Sequence, residues 1–389
     1  MAERKRYDIY ILIFSSIFMP CFAKDNEEPI SRAPSLWSWE EECHVLRSHP
    51  MSTFGTSGSL LGIYDQQGFL NGSLGGKNRG SYTYITTINQ NLWYDSSFII
   101  YAEGGHGKGI TPLTGSLFNT NAVAGEPECI LVSRAFLLSP FWDKKAQLVA
   151  GKITLSDFFD TNAVANCEIR QFLAGSMVNN PIIPFPDYGI GAALNLVSEQ
   201  GHYLHIGIGD ANAKGTTFGL ESALGGNSDF FSIYELGLIP RFRDRKGTYR
   251  FIYWRNPSVE TNQVTKSSSG SNQGLALSFD QQLSDRVDLF SRYGYAEHPV
   301  ANMRQFWSAG MRLMDPFENR KDDFREAGFA LGNSENDSEK SQTLFETDYS
   351  AQITPDITIT PLLQMIWNAQ GRTDVSPVII GGIRAVLVY

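Results

Sequence analysis

A membrane-spanning helix needs about 18 or more consecutive apolar residues, and no such run occurs between residues 24 and 389. The same stretch instead repeats one unit, about ten residues of alternating apolar and polar character followed by a turn. Such a chain crosses a bilayer only as a closed barrel, because in lipid every backbone N–H and C=O must be paired within the sheet. Composition fits that constraint. Glycine (36 residues) and aromatics (12%) are abundant, and charged residues make up only 19% of the 389. A mean hydropathy of -0.21 excludes a helical membrane protein but suits a barrel in which every second residue meets lipid. A net charge of -9 argues against nucleic acid, which requires clustered Lys and Arg.

The first residues read as an export signal. Arg4, Lys5 and Arg6 are basic, Ile9 to Phe18 is a short apolar run, and Cys21-Phe22-Ala23 supplies a cleavage site before Lys24. Met19-Pro20 rules out a lipoprotein box at Cys21. The expected organisation is a signal peptide over 1–23, a periplasmic segment over 24–55 and one barrel domain over 56–389. After removal of the signal, Cys43, Cys129 and Cys167 remain. Cys129 and Cys167 fall near the same side of the barrel, which allows a disulfide; free thiols fit the sequence equally well.

The alternation places strands at 56–65, 81–92, 96–105, 128–138, 145–152, 187–197, 203–211, 229–239, 247–255, 273–282, 286–296, 305–314, 324–332, 342–353, 356–367 and 378–389. Their number is even, as single-chain bacterial barrels require. Connections after even-numbered strands are short (Tyr94-Asp95, Ser284-Asp285, Thr354-Pro355). Those after odd-numbered strands are long (106–127, 153–186, 212–228, 256–272). This sorting puts both barrel termini at the periplasmic end and the long loops outside.

Within strands, one face is apolar and the other carries charges of both signs. Ile379, Ile383 and Leu387 oppose Arg384; Ile357, Leu363 and Met365 oppose Thr358, Thr360 and Gln364; Phe345 and Tyr349 oppose Glu346 and Asp348. An Arg or Lys facing lipid at mid-bilayer costs about 2–4 kcal/mol, so the charged face points inward. Trp93, Tyr94, Phe141, Trp142, Trp254 and Trp367 sit near strand ends, as interfacial girdles do. Arg134 lies among apolar residues on both faces of 128–138, so alternation does not assign it. Tyr389 ends the chain on an aromatic, a pattern similar to the signal read by outer-membrane assembly machinery.

Several segments resemble the carbohydrate-selective porins of OprB type. Gly151-Lys152-Ile153 with Asp157-Phe158-Phe159-Asp160, Gln171-Phe172-Leu173 and Asn180-Pro181 resembles the family's strand and long loop. Phe231 to Leu236 looks like its strand with a central Glu, and Gly247-Thr248-Tyr249-Arg250 with Trp254 like its Gly-x-Tyr strand. Glu346 to Tyr349, Thr354-Pro355-Asp356, Pro361 to Gln364 and Gly381 to Arg384 are similar to its terminal hairpin and closing strand. The motifs run in family order along nearly all of the mature chain. The resemblance implies a 16-stranded antiparallel transmembrane β-barrel with a short helical segment before strand one. It also implies passive diffusion of glucose-like sugars across the bacterial outer membrane.

A diffusion pore needs a constriction rather than a catalytic constellation. Loop 153–186, with Asp157, Phe158, Phe159, Asp160, Glu168, Arg170 and Phe172, is expected to fold inward as that constriction. Alternation and the family motifs place Lys152, Glu235, Arg250, Arg292, Glu346, Asp348 and Arg384 on the pore wall, with Arg286, Asp288 and Arg312 beside them. Mixed signs favour small neutral solutes. A pore for amino acids such as arginine is the alternative, drawing on Glu103, Glu235, Glu346 and Asp348. An outer-membrane hydrolase or a soluble lectin-like protein fits less well: there is no H-E-x-x-H or G-x-S-x-G, and His205 and Asp210 fall on opposite faces. No cofactor, metal or nucleic acid is expected, and the barrel stands as a monomer or a homotrimer in outer-membrane lipid.

Overall fold

The computed structural model describes residues 37, 49–50, 55–71, 77–124, 129–225, 228–257, 260–261, 268–269, 271–300, 303–317, 319–334, 341–371 and 376–389. The expected signal peptide and helical segment lie outside the described residues.

Sixteen long strands form the wall. They are β1 (Thr56–Phe69), β2 (Asn78–Asn91), β3 (Ser97–His106), β4 (Leu131–Phe141), β5 (Ala146–Ile153), β6 (Gly189–Val197), β7 (Tyr203–Asp210) and β8 (Phe230–Leu238). There follow β9 (Arg245–Asn256), β10 (Asn272–Gln282), β11 (Val287–Val300), β12 (Met303–Met314), β13 (Phe324–Ser334), β14 (Gln342–Thr354), β15 (Ile357–Trp367) and β16 (Val378–Val388). Each pairs antiparallel with the next, and β16 pairs with β1 from Leu61↔Val388 to Phe69↔Ile380. The sheet therefore closes on itself and leaves no long strand edge unpaired.

Every strand expected from the sequence is present, half of them with a longer span. The loop sorting holds along most of the chain: β3–β4, β5–β6 and β7–β8 are joined by long loops at one end, and β2–β3, β4–β5 and β8–β9 by tight turns at the other. Successive left-handed residues build those turns: Tyr94 and Asp95 (φ 55° and 58°), and Arg243 and Asp244 (φ 50° and 63°). Two consecutive positive φ values match the right-handed twist of the flanking strands.

The outer face carries Leu60, Tyr64, Phe98, Leu137, Phe251, Trp307, Phe329 and Leu387, all exposed. Such a belt of large apolar side chains suits hydrocarbon. Trp93, Tyr94 and Trp142 are exposed at the tight-turn end, as an interfacial girdle requires. Trp254 is not part of that girdle. It shares the inward face of Arg250 and Ile252 and is fully buried, with room left by its cross-strand partner Gly274, where a Cβ would lie 2.5 Å from the indole.

Arg134 was unassignable because β4 is bulged. Tyr101 pairs with Arg134 but Ala102 pairs with Val132, so Ser133 is an extra residue and the alternation shifts by one. Arg134 then turns inward over the Tyr101 ring, 4.5 Å from its centroid. Cys129 is free and exposed, so it does not pair with Cys167, which is disulfide-bonded.

Candidate functional site: a loop folded into the lumen

The loop between β5 and β6, residues 154–188, enters the barrel and fills much of its width. Phe158, Phe159, Asp160, Ile169, Phe172, Leu173 and Met177 in this loop are each at most 1% exposed. The loop opens with a short 3-10 turn, Leu155–Asp157, that sets Phe158 and Phe159 against the wall. Phe158 meets Phe136 edge-on at 6.0 Å. Phe159 lies over Gly207, where a Cβ would come within 2.6 Å of the ring. Phe172 packs on Phe290 of β11, ring centroids 5.6 Å apart.

Asp160 is the pivot. Its φ of 58° is left-handed, a conformation that Asp tolerates better than bulkier residues. In that turn Asp160 uses both its amide and its carboxylate. The N–H donates to Glu235 Oε2 at 2.8 Å, Oδ1 accepts from Arg292 Nε at 3.1 Å, and Oδ2 accepts from the Asn180 N–H at 2.6 Å. Arg292 also donates to the carbonyls of Asp160, Ala165 and Met177 at 2.7–3.0 Å. One guanidinium thus gathers three separate stretches of loop backbone. Unpaired, it would be costly to bury; with these partners its charge and its N–H groups are satisfied.

The other wall charges behave alike. Glu346 accepts from the Leu173 N–H at 2.5 Å and the Ala174 N–H at 2.9 Å. Arg384 donates to the carbonyls of Glu168 at 2.5 Å and Gln171 at 2.7 Å. Lys152 donates to the carbonyls of Val132, Gly215 and Thr217 at 2.6–2.8 Å, tying a neighbouring loop instead. Arg250 pairs with Asp280 at 2.6 Å, beside Glu235. Asp157 pairs with Arg134 at 3.3 Å. Asp348 faces Glu326 across the β13–β14 ladder, and neither carboxylate accepts a hydrogen bond among the described residues. Arg170 borders a cavity of about 480 Å³ at the tight-turn end, with Gln352, Thr354 and Thr358. A second cavity, about 210 Å³, lies between Ala163, Lys246, Asp280, Asp288 and Arg312. Arg286, expected on the wall, lies exposed in the turn before β11.

Three contributors were not foreseen. Glu326 and Arg134 escaped because neither belongs to a quoted motif and the bulge hides the second. The third is the β3–β4 loop, which also folds inward. Thr120 O accepts from Gln364 Nε2 at 2.8 Å, Asn121 donates to Gln67 Oε1 at 3.0 Å and to Asp65, and the Ala122 N–H donates to Leu173 O at 2.9 Å. Two loops bonded to each other therefore occupy the lumen, and the sequence marked only the β5–β6 loop as folding inward.

A model of the carbohydrate-selective porin, OprB family, matches residues 93–389. The high-pH structure of Pseudomonas putida OprB superposes with a TM-score of 0.74 at 15% identity, covering 86% of this chain and 94% of that one. Outer-membrane-expressed OmpT of Vibrio cholerae superposes with a TM-score of 0.52 at 10% identity, covering 87% of this chain and 99% of that one. Among curated proteins, porin AaxA of Chlamydia abortus is 22% identical over 227 residues, 57% of this chain and 49% of that protein. The chain thus spans about half the length of the curated porin it matches. The family match places the barrel among outer-membrane porins of this family, and the solved structures share its fold.

Proposed function

The chain belongs to the carbohydrate-selective porin family of OprB type, and from that premise we propose that it passes small neutral carbohydrates by passive diffusion through the space its inward loops leave. The observation that carries this reading is the balance of charge around the constriction. Arg292 is matched by Asp160, Arg250 by Asp280 and Arg312 by Asp288, so these pairs add no field of one sign that would select an ion. In this reading Glu235, Arg292, Glu346 and Arg384 fix the constriction, Lys152 and Arg250 brace the wall beside it, Asp348 lies buried in the wall, and solutes meet Glu168 and Arg170.

Liposome swelling with glucose, a disaccharide, arginine and glutamate at matched osmolarity tests it. Fastest swelling with glucose is the expected result. One observation favours a second reading, a pore for amino acids such as arginine: the buried Glu326–Asp348 pair has no donor of its own, so its charge would act on a cationic solute through its field rather than by contact. Faster swelling with arginine than glucose, lost in Asp348→Asn, would establish that reading. The trimer form of Vibrio cholerae OmpT supports testing a homotrimer against a monomer by light scattering in detergent.

A further inference from the structure

Trp37 precedes the barrel by many residues, yet it lies inside the lumen at the tight-turn end. Its ring meets Phe158 at 5.0 Å in an edge contact, His205 at 4.6 Å and Phe159 at 6.5 Å. Its carbonyl accepts a hydrogen bond from Gln147 Nε2 at 2.8 Å. Gln147 and His205 stand at the tight-turn ends of β5 and β7, so the indole closes from below the corner in which the two loop phenylalanines sit. Phe136 and Gly207 close it from the sides.

We propose that Trp37 is a positioning residue for the constriction, a wedge from the amino-terminal segment that keeps Phe158 and Phe159 pressed to the β4–β8 wall and so sets the width left for solute. The argument is one of available restraint. The backbone on either side is anchored, by Asp157 to Arg134 and by Asp160 to Glu235 and Arg292, but the two phenylalanine side chains rest only on rings and glycine, and rings in contact resist displacement without directing it. Without the indole, the space beneath the two phenylalanines opens to the tight-turn end, and nothing polar holds their side chains at the wall. The wedge is itself located by a directional bond, Gln147 to the Trp37 carbonyl. The inference concerns the loop's position and holds whichever solute the pore prefers.

The experiment compares parental porin with Trp37→Ala, Trp37→Phe and Gln147→Leu, each checked for heat-modifiable migration of a folded barrel. Single-channel conductance in KCl and liposome swelling with a trisaccharide are the readouts. Trp37→Ala should raise conductance above the parental value. It should also admit the trisaccharide. Trp37→Phe should restore most of the parental behaviour, and Gln147→Leu should shift conductance in the same direction by less. A folded Trp37→Ala barrel with parental conductance and parental trisaccharide exclusion would overturn the proposal. If Trp37→Ala yields no barrel, parental values in Gln147→Leu overturn it instead. Raised KCl conductance without glucose uptake in any variant would sustain the wedge and count against the sugar reading alone.

Discussion

Where Phe158 and Phe159 meet the wall, the contact is made of rings resting on glycine and on one another; where residues 160–174 meet the opposite wall, it is made of charges gripping backbone. Dispersion between rings is non-directional and changes gradually with a small shift. A carboxylate accepting two amide N–H groups, as Glu346 does, is directional and fails over a fraction of an ångström. The charged flank therefore defines where the loop sits, and the aromatic flank defines how much it yields. A buried ion pair adds little net stability against an apolar replacement, yet breaking one partner is expensive. That asymmetry suits a part whose task is to stay in one place.

The contrast makes ranked predictions. Arg292→Met removes the guanidinium that gathers Asp160, Ala165 and Met177 and leaves Asp160 buried without its ion-pair partner. A loss of about 3–5 kcal/mol is expected, read as a lower denaturation midpoint and as unsteady, higher conductance. Adding Asp160→Asn should recover part of it. Glu346→Gln weakens two charge-assisted bonds and should lower stability by about 1.5–3 kcal/mol, with the current noise rising more than its mean. Gly207→Ala puts a methyl against Phe159 and should cost about 1–3 kcal/mol. Here the mean conductance should move while the noise does not. If Gly207→Ala unsettles the current more than Arg292→Met, the assignment of position to the charged flank is wrong.

The smallest effect is expected outside the membrane. At the tight turn after β6, a hydrogen bond from Lys145 at 2.7 Å holds the Glu199 carboxyl below its usual range. A carboxyl depressed in the folded state contributes stability above its unfolded pKa and loses it as pH falls through the folded value. Both groups are exposed to solvent, which screens the pair, so Glu199→Gln should leave the thermal midpoint at neutral pH unchanged in physiological salt.

The barrel was legible because bilayer physics leaves a chain of this kind few options. The period-two pattern identified every strand, and the inward charges of β14 and β16 followed from the cost of placing them in lipid. What escaped was local geometry. Ser133 shifts the alternation of β4 and hides Arg134, and Trp254, expected in the interfacial girdle, lies inward on the face of Arg250 with Gly274 across from it. Inward folding of loop 153–186 was readable from its motifs. The use of wall charges to hold loop backbone was not, since partners such as Leu173 N–H and Gln171 O leave no mark on side-chain identity. The Trp37 contact was equally silent, with no periodicity linking residue 37 to Phe158.

The chain order of these contacts has a consequence for biogenesis. Asp160 reaches Glu235 across 75 residues and Arg292 across 132, Leu173 reaches Glu346 across 173, and Glu168 reaches Arg384 across 216. Contacts of such long range form late, because the intervening chain must first be ordered. The loop is synthesised before most of the wall that receives it. A barrel in which β8, β11, β14 and β16 are not yet in register therefore has no complete seat for this loop.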